Sequence, residues 1–225
     1  HGRSKDGRLL YPAFPYPNFT LVTRADADAI YAFLRSLPAV TQARRPHDLR
    51  FPYNLQVSLA VWRALYFAPA AFRPDPARSA QWNRGSYLVR GLGHCEACHA
   101  PRNVLGATRG DIELGGGLIP MQNWYAPSFV SSRAAGVTTW SEDEIVALLK
   151  TGVSPQASVM GPMAEVVFRS TQHLADDDLR AMAAFLQGLR EAAGDATDSL
   201  ERAKNDVMQL GEKVYFEHCA SCHGA

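Results

Sequence analysis

The chain has 225 residues, 47% of them hydrophobic and 20% charged, and its 23 Lys and Arg against 22 Asp and Glu leave a net charge of +1. That balance excludes a disordered chain and any bulk electrostatic pull toward nucleic acid or an anionic membrane. The most apolar stretch, Leu55 to Phe72, is broken by Gln56, Arg63 and Pro69, so no membrane-spanning helix is predicted.

The chain opens on His1 with no signal-peptide pattern, which reads as a processed or missing N-terminus. Residues 23–37, TRADADAIYAFLRSL, carry a helical pattern. They echo residues 175–189, ADDDLRAMAAFLQGL, at a constant offset of 152, pairing Phe33 with Phe185, Leu34 with Leu186 and Leu37 with Leu189. Residues 1–43 are therefore expected to be the C-terminal part of a first module whose own start is absent.

Residues 44–77 read as a linker with a helix. RRPHDLRFPYN at 44–54, and 68–82 with Pro69, Pro74 and Pro76, are extended in character. Between them Leu55, Leu59, Trp62, Leu65 and Tyr66 form a helical stripe that suits inter-module packing, the preferred reading, or a partner-facing surface. Arg44-Arg45 reads as solvated charge, and His47 and His173 as surface or capping histidines.

A complete module is predicted over residues 78–192. Asn83 to Leu92 reads as a helix, with Gly85 and Tyr87 at a close helix crossing. It delivers Cys95-Glu96-Ala97-Cys98-His99, a C-x-x-C-H motif. The spacing has a chemical reason: each thiol can add to one vinyl group of a haem, one helical turn bridges the two vinyls, and the adjacent His reaches the iron.

Farther on, Ser141-Glu142-Asp143-Glu144 is a capping box. It opens a helix to about Lys150, with Ile145, Leu148 and Leu149 inward and Gly152 past its end. The last helix runs from Asp176-Asp177-Asp178 to near Arg190. Among five methionines, Met182 belongs to the core stripe of Leu179, Phe185, Leu186 and Leu189, and Met208 packs in a helical segment. Met121 and Met160 are loop residues and stay open as candidates. Met163, in an irregular Gly161-Pro162-Met163-Ala164 loop, is the preferred sixth ligand to iron.

Residues 193–225 form a linker and the start of a third module. Leu210 to His223 repeat a module's opening, with Gly211 and Tyr215 ahead of Cys219-Ala220-Ser221-Cys222-His223. His94 and His218 each precede a haem-type cysteine, where a propionate-facing role and coincidence both stay open. One accidental C-x-x-C-H in a chain of this size has odds on the order of one in a thousand. Two, using every cysteine, favour haem over zinc binding, a thioredoxin-like redox pair or a disulfide framework.

The stretches LYPAFPYPNFT, WNRGSYLVRGLGHCEACHAPRN, IPMQNWYAPSF and GPMAEVV carry a resemblance, covering nearly the whole chain in the family's order, to the three-haem cytochrome c subunit of bacterial membrane-bound dehydrogenases. Such subunits serve alcohol, gluconate, sorbitol, sugar and some aldehyde or N-heterocycle dehydrogenases. The fold expected is mainly α, with class I cytochrome c-like modules in tandem, one complete and two partial. The resemblance implies that Cys95, Cys98, His99 and Met163 hold the second of three haem c groups. Cys219, Cys222 and His223 begin the third. It also implies a periplasmic position, attached to the inner membrane by a segment outside this chain.

One position departs from the family. Many members have Met within the segment Tyr11 to Tyr16, as distal ligand of the first haem; this chain has Phe14, and Phe cannot bind iron. The first haem is then five-coordinate or ligated by another residue, His1 being one candidate.

The haem motifs point to electron transfer, and the resemblance implies that it runs from a dehydrogenase catalytic subunit, whether quinoprotein, flavoprotein or molybdenum enzyme, to quinone or a terminal oxidase. No catalytic residue is evident, which leaves substrate oxidation to the partner. The rival readings are a haem enzyme such as a peroxidase, which needs an open sixth position, and a zinc-binding interaction module.

Overall fold

Helices carry most of the ordered backbone in the computed structural model, which describes residues 1–43, 45–109, 113–119, 122–131, 134–189, 205–218 and 220–223. The chain divides into two units, His1–Glu191 and Ala192–Ala225. No helix among the described residues is long and apolar enough to cross a membrane.

In the first unit, α1 (Tyr16–Phe19) and α2 (Arg24–Ser36) follow an N-terminal hairpin in which Arg3 pairs with Leu9. Thr23 caps α2 by accepting a hydrogen bond from the Asp26 amide. Helix α3 (Gln56–Tyr66) fills the middle of the linker region and buries Leu59.

Helix α4 (Ala80–Tyr87) starts earlier than its apolar pattern suggests, because Ser79 accepts a hydrogen bond from the Trp82 amide and caps it. The expected continuous helix to Leu92 ends at Tyr87, and Leu88–Leu92 is a π-helical turn. A wide turn of this kind re-aims the chain just ahead of the cysteine motif.

Two short antiparallel strands, which the apolar patterning does not signal, are β1 (Gly117–Ile119) and β2 (Trp124–Ala126), with Leu118 opposite Tyr125. Beyond them, α6 (Glu142–Thr151) has the predicted capping box between Ser141 and Glu144 and ends at Gly152, whose φ is +80°. Then come α7 (Pro162–Arg169) and α8 (Asp176–Gln187).

The core lies where α8 crosses α4 and α6. Tyr87, Leu88, Val89, Leu114, Val137, Ile145, Leu149, Leu179, Met182, Ala183, Phe185 and Leu186 form one buried cluster. Met182 is therefore core filling, as its periodicity predicts. Arg84 clamps Asp178 through two bonds of 2.7 and 2.9 Å at the rim of this crossing. Arg190, the expected end of the last helix, lies outside the described residues.

The second unit contains α9 (Asn205–His218) and α10 (Ala220–His223). Leu210, Val214, Tyr215 and Phe216 on α9 are solvent-exposed.

Candidate haem attachment site

The π turn ends at Gly93, and His94 adopts a left-handed backbone with φ of +40°. Cys95 follows, its amide donating to the Val89 carbonyl at 3.0 Å, and the short helix α5 (Glu96–His99) winds from it. The Cys98 and His99 amides both donate to the Cys95 carbonyl, at 3.2 and 2.9 Å. Cys95, Cys98 and His99 thus share one tight turn, with the two thiols free of one another.

His99 is 8% exposed, and its Nδ1–H donates to the Pro127 carbonyl at 2.9 Å. This bond assigns the proton to Nδ1 and leaves Nε2 with its lone pair available to a metal. Phe129 stacks on the imidazole, ring centroids 4.1 Å apart and planes 32° apart. Burial holds the His99 imidazole below the ordinary histidine range, with the Pro127 bond opposing that shift. A neutral imidazole is the form that ligates iron.

The thiols are held protonated. Burial first, then the neighbouring Cys98 and Glu96, push Cys95 up to about 12. Burial raises Cys98 too, against the opposing charge of Arg102. Arg102 is anchored on the motif by donating to the Ala97 carbonyl and, at 2.8 Å, to that of Gly106. Arg90 grips Glu113 through bonds of 2.5 and 2.7 Å behind the turn.

Met163 occupies the first turn of α7 rather than an irregular loop. Pro162 at the first helical position permits this, since its missing N–H is one the helix leaves unpaired there in any case. Half-buried, Met163 borders the same core cluster as Cys95 and Phe129. The indole of Trp124 lies over Gly161 just before it, so close that a Cβ at Gly161 would come within 2.5 Å of the ring. Met160 is 72% exposed, which removes it from the core surface that Met163 borders.

The remaining predicted residues divide by location. Met121 and Cys219 lie outside the described residues, as do the side chains of Met208, Cys222 and His223, although α10 carries the latter two. His173 is exposed, and His47 is exposed with its ring edge-on to Tyr11 at 5.3 Å. His94 packs edge-on against Phe19 at the same centroid distance. His1 Nδ1 lies 3.3 Å from the Thr20 hydroxyl.

Sequence reasoning missed Pro127, Phe129, Phe19 and Arg102 as parts of the site. Pro127 acts through a backbone carbonyl, which no residue letter reveals.

The donor set fits a covalent c-type haem: two thiols on one turn, a buried imidazole with Nε2 free, and a thioether bordering the same core cluster. Among the described residues no group of three or more His, Cys, Asp or Glu side chains could hold a metal ion by itself.

No protein-family model matches the chain. It is 42% identical over 99% of its length to one of the subunits of nicotinate dehydrogenase from Pseudomonas putida, of which that match covers 19%. It is 37% identical, again over 99% of its length, to the cytochrome c subunit of alcohol dehydrogenase (quinone) from Gluconacetobacter polyoxogenes, covering 51% of that protein. A diheme cytochrome c-type protein of Cereibacter sphaeroides is 38% identical over 83% of this chain and 62% of its own. The chain thus spans about half the length of the cytochrome c subunits it matches, and a smaller part of the nicotinate dehydrogenase polypeptide.

Proposed function

We propose that this chain, a homologue of dehydrogenase cytochrome c subunits over nearly its whole length, is part of a multihaem electron carrier. It takes electrons singly from a dehydrogenase catalytic subunit and delivers them to quinone or a terminal oxidase, at the periplasmic face of the inner membrane. The partner is a quinoprotein, flavoprotein or molybdenum enzyme. Relatives of this one sequence are named for alcohol, gluconate, fructose and nicotinate dehydrogenases, which fits a common carrier serving different catalytic subunits.

The observation that carries this reading is the turn of Cys95, Cys98 and His99, with His99 Nδ1 committed to the Pro127 carbonyl. Covalently bound haem supplies one-electron redox chemistry at its iron. Cys95 and Cys98 would fix the ring to the protein, and His99 would present Nε2 as proximal ligand. The Pro127 carbonyl fixes the imidazole's tautomer and orientation and raises its basicity as a ligand. Met163 would give the distal thioether, which favours the reduced state and a comparatively high potential. The buried cluster of Leu114, Val89 and their neighbours, against which Cys95 and Phe129 pack, would help to shield a bound haem from water.

In the same reading the modules run in tandem: residues 1–43 the end of one, 44–77 the linker, 78–192 a complete module, and 193–225 the start of another. Cys219, Cys222 and His223 would hold the next haem, giving three in the full-length protein.

The reading is tested by producing the chain in a periplasm with haem-attachment machinery, then measuring intact mass and the reduced visible spectrum. A mass gain of one or two haems resistant to acid extraction, with low-spin bands, is the expected result. Unmodified mass beside a control cytochrome that matures in the same cells overturns it.

A further inference from the structure

The N-terminal segment repeats the distal half of the complete module in its hydrogen bonding as well as in its sequence. Gly2 and Gly152 both adopt left-handed backbone, with φ of +65° and +80°. Each opens a small hairpin. The Leu10 amide donates to Gly2 at 2.9 Å, as Val159 donates to Gly152 at 2.8 Å. Inside the hairpins, Ser4 donates to Arg8 at 2.9 Å, as Ser154 does to Ala157 at 2.8 Å. The turn that follows closes with Phe14 donating to Tyr11 at 3.0 Å in one copy and Met163 donating to Met160 at 3.2 Å in the other.

Three matched bonds fix the register. Counting four residues on from Leu10 reaches Phe14, and four from Val159 reaches Met163. After these turns both copies run into their closing helices, α2 from Arg24 and α8 from Asp176, which share the 152-residue sequence offset. The inward face of α8 is buried, with Phe185 at 0% and Leu186 at 4%, while their counterparts on α2, Phe33 and Leu34, are 64% and 58% exposed. Among the described residues α2 lacks the partner that α4 gives α8.

Phe14 is half-exposed. Its ring meets Phe19 edge-on at 5.3 Å, and Phe19 meets His94, the residue before Cys95, at 5.3 Å. A phenyl ring has no lone pair to give a metal, so this copy of the loop does not fit a six-coordinate, Met-ligated haem.

We propose that in residues 1–43, the end of the first module in that reading, Phe14 replaces the iron ligand, leaving that module's haem with its sixth position open to a small neutral ligand such as carbon monoxide. The inference rests on the electron-carrier reading and gives the first of its three haems a ligation that differs from the others.

The test uses the chain within its complete reading frame, matured in a periplasm, with haems counted by intact mass. Carbon monoxide added to the reduced protein should change the absorbance of one haem's worth of the total. That change should vanish in Phe14→Met and remain in Phe14→Leu, and Phe14→His serves as a second ligand-bearing variant where the Met protein fails to mature. A ferric electron paramagnetic resonance spectrum of the parent protein should show one high-spin haem. Attached haems that are all low-spin and insensitive to carbon monoxide overturn this inference alone, as does a response that survives both ligand-bearing variants. Absence of covalent haem overturns the electron-carrier reading with it.

Discussion

A Cβ placed on Gly85 would stand 1.8 Å from the carbonyl oxygen of Ala181. Helices α4 and α8 therefore cross backbone to backbone, and α4 leads directly into the π turn that presents Cys95. Neither a side-chain shift nor a rotamer change can relieve a clash with a main-chain oxygen, so the helices would have to separate. Gly85→Ala is expected to lower stability by about 3 kcal/mol, at the upper end for overpacking. Chemical denaturation of the haem-loaded protein measures this; an unchanged midpoint would show that the crossing is looser than the geometry requires.

How much of this is legible in the sequence depends on where the information lies. Gly85 and Tyr87 can be placed at a close crossing because a small residue inside an amphipathic pattern has few other uses. The Ser141 capping box and the Gly152 terminus are readable because their side chains, or the lack of one, satisfy the helix ends directly. The β1–β2 hairpin, the π turn and the Pro127 acceptor escape because they rest on main-chain geometry set by tertiary packing. Met163 stands out as a candidate, but its helical setting depends on Pro162, which reads as a breaker in a loop and acts as a starter at a first turn.

Tyr87 ties the N-terminal segment to the helix that leads into the cysteine motif: its hydroxyl donates to the Asp26 carboxylate and accepts from the Thr23 amide at 3.1 Å. The Tyr87 bond, followed by that of Thr23, lowers the Asp26 pKa below the usual carboxylate value of 3.8. A depressed folded pKa stabilises above the unfolded value, and that contribution is lost as pH falls through the folded one. Tyr87→Phe should cost about 1 kcal/mol at neutral pH, a modest figure because Asp26 is only partly buried. The gap between parent and variant denaturation midpoints should narrow as pH drops below about 4. A gap that is constant across this range would place the loss in packing rather than in the carboxylate bond.

In the proposed reading Met163 is the sixth ligand of the haem held by Cys95, Cys98 and His99. Met163→Ala should convert its haem from low spin toward high spin and lower its potential. Met163→His should restore low spin at a potential below the parent's, because imidazole favours the reduced state less than thioether does. A visible spectrum with a redox titration distinguishes the three proteins. If Met163→Ala keeps a fully low-spin spectrum and the parent potential, the sixth ligand lies elsewhere.

Trp62 connects α3 to the segment after the cysteine motif, its indole N–H donating to the Leu105 carbonyl at 2.9 Å. One position along, Arg63 is fixed over the rings of Tyr16 and Phe67 at 4.8 and 4.5 Å and donates to the His1 carbonyl at 3.0 Å. Helix α3 therefore straps the N-terminal hairpin region to the segment after the cysteine motif through two adjacent residues. Trp62→Phe keeps most of the apolar contact and removes the hydrogen bond, at a cost of about 1 kcal/mol. Because α3 buries only Leu59 fully, the loss should appear as faster amide exchange across 56–66, with the core helices α4 and α8 still protected. The haem spectrum should stay as in the parent, since no ligand is touched. Exchange that quickens equally throughout the unit would instead make α3 part of one cooperative core rather than a strap laid over it.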